Sequence, residues 1–346
     1  MTSGTRAVHH GSLRCRHALQ DPSPPPLLAI LIGTLPIAPL TGGCSADATS
    51  PADPGDPSIS AKSASDAFWN TYWSNDYPNI ANVQSALQAA LAENPRDAEL
   101  TALLAATHWW HVSEAAAREK HPDPTVLNGD LPTALQLMQQ AAQHDPDEDH
   151  YPGFIGVLMV HIGRRTNDVN LASQGNEVLA DAVYRFPEFN GFNTWAAHNA
   201  DPREGPDFQE GLGALWNAVD ECIGAKLDRA NPDVTPYMHL ATSHGRKKVC
   251  WDENGLAPHA FEGLMLNLGN GLVKAGDVAA ARVVFHNAQL GSGYSTWPYR
   301  SVLESLAGSD LEARAALYAD GDPTNDPPPT GIDRSCVYCH AKVPEP

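Results

Sequence analysis

The residues best suited to chemistry lie in the segment Cys336-Val337-Tyr338-Cys339-His340. Two cysteines three positions apart, followed directly by a histidine, form the C-x-x-C-H pattern. In this pattern the thiols add to haem vinyl groups and the imidazole ligates the iron. With six Cys and fifteen His in 346 residues, about 0.005 such patterns are expected by chance. The spacing therefore predicts one covalent haem c on Cys336 and Cys339, with His340 as the proximal iron ligand.

Two other chemistries use the same residue types. A structural zinc site normally has four ligands, and Cys336, Cys339 and His340 supply three. A redox-active C-x-x-C usually follows a strand and opens a helix in a thioredoxin-like unit, and the sequence shows no such unit. A metal site and a disulfide therefore stay open as alternatives to haem.

The motif resembles that of the c-type cytochromes, and the resemblance covers these five residues only. Compact members of that family carry the motif near the start of their domain and take a distal Met or His from later sequence. Residues 341–346 contain neither. The resemblance thus implies haem attachment, with a distal ligand that comes from upstream, from another chain or from water.

Three upstream histidines are candidate distal ligands. His108 and His111 lie one helical turn apart, beside two tryptophans. His259 stands one turn before Glu262 and follows a long loop where a tail carrying the motif could dock. His259 is the preferred candidate. For each histidine alone, the simpler interpretation is a partly buried imidazole bonded to a backbone carbonyl.

The elements that must position these residues are predicted to be helices. From Ser60 to Ala319, Ala and Leu recur at three- and four-residue spacing, and Pro and Gly interrupt the pattern. A long helix is expected at about Asp207–Arg229, followed by a long loop. We find no convincing alternating strand pattern. The fold class is therefore all-α.

One stretch resembles a tetratricopeptide repeat, a helix-turn-helix unit of thirty-four residues. Gly269 and Ala281 would let two helices approach closely, and Phe285 would fill the space between them. Residues 83–95, 134–146 and 175–187 match the second helix of such a unit at irregular separations. The resemblance implies a degenerate array of stacked helix pairs. The matching positions are Leu268, Gly269, Leu272, Gly276, Ala281, Phe285 and Ala288.

Residues 1–43 have the pattern of an export signal. Three arginines precede an apolar run from Leu27 to Leu40, which is too short to span a bilayer. The run ends in Leu40-Thr41-Gly42-Gly43-Cys44, which resembles the bacterial lipoprotein signal. This implies a lipid on Cys44 as the mature N-terminus, with ordinary secretory cleavage as the alternative. Residues 44–59 are then a polar, Pro-rich tether.

Two cysteines are left after the signal, the lipid and the haem are assigned. Cys222 and Cys250 form an even pair in an oxidising compartment, where a disulfide is the natural expectation. Two buried thiols are the alternative. The domains predicted are the signal (1–43), the tether (44–59), the helical body (60–319) and a linker and haem tail (320–346). The tail is expected to be extended, and it would let the haem dock on the body or swing toward a partner.

The net charge and the lack of common enzyme motifs in the sequence reduce the number of function classes to consider. The net charge of −19 argues against nucleic-acid binding, which needs a basic surface. The sequence has no G-x-S-x-G, P-loop, H-E-x-x-H or G-x-G-x-x-G pattern, and this favours an electron carrier or binding protein over an enzyme.

The leading hypothesis is a periplasm-facing, lipid-anchored haem protein of the bacterial cell envelope. It would transfer electrons or sense redox state with a periplasmic redox protein or a membrane complex. The alternative is a scaffold or binding protein without haem, whose C-terminal cysteines form a disulfide or a metal site.

Overall fold

The computed structural model describes residues 58–118, 123–240, 246–251, 255–322, 324–327 and 335–342. Within these ranges every regular element is a helix, so the predicted all-α class is confirmed. The signal segment, Cys44 and most of the tether lie outside the described residues. No helix in the described ranges is long and apolar enough to span a membrane.

The body is a chain of α-helices joined mainly by short turns and 3₁₀ segments. The helices are α1 (Ile59–Trp73), α2 (Ile80–Glu93), α3 (Ala98–Arg118), α4 (Pro124–His144), α5 (Tyr151–Thr166), α6 (Val169–Arg185), α7 (Pro187–His198), α8 (Pro206–Ile223), α9 (Ala260–Ala275), α10 (Val278–Asn287), α11 (Arg300–Ala307), α12 (Leu311–Leu317) and α13 (Ser335–His340). The 3₁₀ segments are Tyr77–Asn79, Thr235–Leu240, Arg246–Cys250, Ala288–Leu290 and Tyr294–Thr296.

Consecutive helices pack as pairs. These pairs are α1 with α2, α3 with α4, α5 with α6, α7 with α8 and α9 with α10, and each of the first four pairs also touches the next one. This is the stacked arrangement that the sequence predicts, in which one pair covers the apolar face of its neighbour. The tetratricopeptide character of these pairs stays a prediction.

The α9–α10 pair shows why its residues form a tight hairpin. Gly276 ends α9 with a φ of +89°, which favours glycine, and the Asp277 side chain accepts a hydrogen bond from the N–H of Ala280 to cap α10. A Cβ atom added to Gly269 would lie 2.2 Å from the Phe285 ring. The two helices thus approach at a glycine, as expected from the sequence.

The helix predicted at about Asp207–Arg229 is shorter in the structure, because α8 ends at Ile223. Gly224 follows with a φ of +67°, and the Asp220 carboxylate accepts the N–H of Leu227. The chain therefore turns away before Arg229. A disulfide joins Cys222 to Cys250, with Cα atoms 6.0 Å apart, and this is the pair left over in the sequence.

The described part of the tail ends in a helix that packs on the body. Helix α13 lies against both α9 and α1. Val337, Tyr338 and Ala341 are buried in the same core as residues of these two helices. The segment 335–340 is thus helical and packed on the body, whereas the sequence predicts an extended tail. The last described helix therefore joins the first helix to the ninth.

Candidate functional site

Hydrogen bonds hold α13 and the two residues after it on the body. They come from three separate parts of the chain: the end of α1, the segment before α9, and the turn before α11. The bonds are His259 N–H to Cys339 O (2.9 Å), Trp297 Nε1–H to Tyr338 O (2.8 Å), Lys342 N–H to Trp73 O (2.8 Å) and His340 Nδ1–H to Leu256 O (2.7 Å).

The two nitrogens of the His340 imidazole differ in their hydrogen bonding. A carbonyl oxygen can only accept, so the short contact to Leu256 O means that Nδ1 carries the proton and Nε2 carries the lone pair. Nε2 has no hydrogen-bond partner in the described part of the chain. Burial lowers the pKa of His340 to about 4, so the ring is neutral near pH 7. This is the state of an imidazole that ligates a metal through Nε2.

Aromatic side chains of α1 fix the plane of this ring. Trp69 stacks on His340 with centroids 5.9 Å apart and planes 27° apart, and Tyr72 lies 5.3 Å away. The Leu256 carbonyl also accepts the indole N–H of Trp73 at 3.0 Å. The acceptor of His340 is thus itself held by α1, which limits rotation of the imidazole.

The sulfur of Cys339 is enclosed by α9. The residue is 8% exposed, and its Sγ lies 3.9 Å from the carbonyl oxygen of Ala260. A Cβ atom added to Gly263 would lie only 2.3 Å from Sγ. Glycine at 263 is therefore what makes room for the sulfur. The side chain of Cys336 lies outside the described part of the structure.

The two described motif residues differ in how well their surroundings fit a covalent haem. His340 fits an axial ligand in donor type, tautomer and charge. Cys339 does not fit a thioether in this packing, because Gly263 and Ala260 occupy the space beside its sulfur. The docked helix as it stands therefore does not accommodate a haem on Cys339.

His259 lies directly beside the motif, as the sequence argument expects. Its backbone N–H bonds Cys339 O, and its side chain is 4% exposed at the start of α9. Nδ1 faces Gly293 and has no hydrogen-bond partner among the described residues. Burial lowers its pKa to about 4. The contact to α13 is through the backbone, and a role of the ring as distal ligand stays a prediction.

His108 and His111 are engaged elsewhere. Their Nδ1 atoms lie 2.6 and 2.7 Å from the two carboxylate oxygens of Asp130 on α4. Neither ring has a hydrogen bond or ring contact with α13 in the described ranges. The carboxylate partner explains why these two histidines sit together on α3, and the structure does not bring them to the motif.

Sequence reasoning missed the residues that form the seat of α13. Leu256 and Gly263 act through a carbonyl oxygen and an absent side chain, which leave no sequence pattern. Trp69 and Tyr72 are far away along the chain from the motif. The cluster from Trp297 to Arg300 is visible in the sequence as a packing turn, but its contact with Tyr338 is not. The Trp-rich composition was the one available signal, and it does not say which tryptophans meet.

A second polar cluster lies between α5 and α7. Atoms of His198, Asp201 and Asp207 come within 4.8 Å of one another, as metal ligands would. However, the Arg164 guanidinium lies 2.6 Å from Asp201 and 3.2 Å from Asp207. The arginine already supplies the positive charge, so the cluster is an ion-pair network that ties helices together.

Comparison of the chain with protein-family models, curated proteins and solved structures finds no match. Function therefore has to be inferred from the residues and their geometry.

Proposed function

We propose that the protein carries one covalent haem c on Cys336 and Cys339, with His340 as the proximal iron ligand. It transfers electrons or senses redox state at the periplasmic side of the bacterial cell envelope, anchored by a lipid on Cys44. The observation that carries the proposal is the His340 imidazole, which directly follows the C-x-x-C pair and has no hydrogen-bond partner at Nε2 among the described residues.

The support comes from His340, where the spacing in the sequence and the geometry agree. The C-x-x-C-H spacing calls for a neutral histidine that ligates through one nitrogen. In the structure a backbone carbonyl fixes the other nitrogen, and this partner sets the tautomer and orientation of a ligating imidazole.

The partner class follows from charge and compartment. A chain of net charge −19 attracts basic surfaces and repels acidic ones. A periplasmic redox protein, or a membrane complex with a basic docking surface, is therefore the expected partner. The absence of nucleotide and hydrolase motifs from the sequence favours an electron carrier over an enzyme.

The test is expression of the full chain in a host with the c-type cytochrome maturation system. We expect haem staining of the denatured protein, and loss of the stain in Cys336→Ala/Cys339→Ala. In His340→Ala, the visible spectrum of any attached haem should change because the proximal ligand is lost. Exported protein without covalent haem would rule the proposal out.

A second candidate function is supported by the enclosed sulfur of Cys339. In this alternative the protein is a periplasmic scaffold or binding protein without haem, and the C-terminal cysteines form a disulfide or a metal site. Helix α13 would then serve only to hold the body together. The two candidates differ in the haem stain, since the scaffold stays unstained and folds normally in the maturation host.

A further inference from the structure

We infer that α13 is a clasp, which closes the seam between α1 and α9 only while the sulfur of Cys339 carries no large substituent. The inference rests on the proposed function for its natural substituent, the haem. A chain with a haem on Cys339 would have α13 released from α9.

The first step is that α13 bridges two surfaces. On one side, Lys342 donates its N–H to Trp73 O and places Nζ 3.0 Å from the centre of the Trp73 ring. On the other side, Tyr338 makes an edge contact with Tyr299, with centroids 4.6 Å apart. Removal of α13 would therefore uncover parts of both α1 and the region around α9 and α11.

The second step is that the seat has no spare volume at the sulfur. Val337 and Ala341 are 1% and 0% exposed, so the helix cannot tilt into solvent and keep its apolar contacts. The space beside Sγ is taken by the α9 backbone at Ala260 and Gly263. A carbon bonded to this sulfur on the α9 side would overlap that helix, and a close-packed interior does not give way to a group as large as a haem.

The third step is that the chain has enough length for release. The segment between Pro327 and Ser335 can span about 25 Å when extended, at about 3.3 Å per residue. Helix α13 can therefore leave its seat while the body stays folded.

The docking half of the inference is tested without haem, by the rate at which N-ethylmaleimide adds to Cys339 in the reduced full chain. The sulfur adds to the maleimide double bond and its proton goes to the neighbouring carbon, so no oxidant is needed. Peptide mass spectrometry resolves Cys339 from the other cysteines. We expect labelling at least about tenfold slower than in the urea-unfolded chain.

Gly263→Ala is the variant that releases the clasp without changing α13, because the new Cβ collides with Sγ. We expect Cys339 labelling to rise toward the unfolded rate, while Gly213→Ala, at an exposed α8 position with no atom near, leaves it unchanged. Trp297→Phe, which removes the hydrogen bond to Tyr338 O and part of a buried ring, should raise the labelling rate of Cys339 by a smaller factor. Thus a Gly263→Ala chain that fails to fold still leaves a test.

Hydrogen exchange then tests whether α1 is uncovered when α13 leaves. After labelling, amides near the C-terminal end of α1 should exchange faster. Wild-type Cys339 that labels at the unfolded rate, or labelled protein with unchanged exchange in α1, would overturn the clasp.

The haem half compares the loaded chain with Cys336→Ala/Cys339→Ala. We expect faster exchange at the end of α1 in the loaded chain. Equal protection in a chain that stains for haem contradicts the inference and leaves the proposed function intact. An unstained chain with a protected Cys339 rules out the proposed function and the haem half, while the docking half stands.

Discussion

At the scale of single residues, two histidines around α13 are kept neutral by burial. His259 begins α9 and bonds the backbone of Cys339, whereas His340 lies on α13 and bonds Leu256 O. Burial lowers the pKa of each to about 4, from an ordinary value of 6.5. Both rings are therefore uncharged near pH 7. Protonation of either ring at low pH would disfavour the packing of α13 on the body.

This gives a prediction on pH. The unfolded chain protonates His259 near pH 6.5 and the folded chain only near pH 4, so between these values the unfolded state holds more protons. The contribution of His259 to stability is full above pH 6.5 and is lost as the pH falls toward 4. Between pH 7.5 and pH 5 we expect this effect of His259 to lower the free energy of unfolding by about 2 kcal/mol.

Urea unfolding at the two pH values measures this loss. His259→Gln should reduce the pH dependence by that amount, since glutamine does not titrate. Wild type and variant with parallel stability curves would show that His259 does not carry the effect.

The sequence predicts the donor types at this scale but not their partners. The C-x-x-C-H spacing identifies Cys339 and His340 because attachment chemistry is local along the chain. The carbonyl of Leu256 and the missing side chain of Gly263 come from folding, which brings distant backbone atoms together. Neither has a side-chain signal that a sequence pattern could detect.

At the scale of elements, the α9–α10 hairpin depends on one close approach. Gly269 faces the ring of Phe285, and a Cβ would come within 2.2 Å of it. The matched position is Gly213 on α8, which is exposed and has no atom within 4 Å of an added Cβ. The two glycines lie in helices with opposite surroundings.

We predict opposite signs for the same substitution. Gly269→Ala should lower the free energy of unfolding by about 1–3 kcal/mol through overpacking. Gly213→Ala should raise it by about 0.5–1 kcal/mol, because alanine has the higher helix propensity. Chemical denaturation of both variants checks this, and a stabilising Gly269→Ala would contradict the close approach.

Local patterns account for what the sequence predicts about elements. The turn at Gly276 and Asp277 and the small residues of α9 and α10 are visible in the sequence because hairpin geometry depends on neighbours. The end of α8 was missed because the Asp220 carboxylate captures the N–H of Leu227. Helix α13 was missed because its stability comes from burial of Val337 and Ala341 against distant helices.

At the scale of the whole molecule, α13 connects the first and ninth helices. Residues of α1, α9 and α13 belong to one buried core. A linear stack of helix pairs has no such connection, since each pair touches only its neighbours. The sequence predicts the stack, and it could not predict the connection because short linkers and apolar residues do not specify their distant partner.

Removal of residues 335–346 should therefore destabilise α1, at the other end of the described sequence. We expect faster hydrogen exchange in α1 and a loss of about 3 kcal/mol in stability, from the apolar surface that Val337, Tyr338 and Ala341 bury. The matched control lacks residues 343–346 only. If the two truncated chains are equally stable, α13 does not stabilise α1.

The bridge by α13 also bears on the order in which the chain can fold. A chain is made from its N-terminus at about 5–20 residues per second. Tyr72 already packs on Trp110 of α3, whereas the face formed by Trp69 and Trp73 is met by His340 and Lys342, more than 250 positions later. That face stays open to water for on the order of 10 to 50 s during synthesis. Part of the first described helix is thus covered late, and Trp69 and Trp73 are the side chains that a holding chaperone would meet in the meantime.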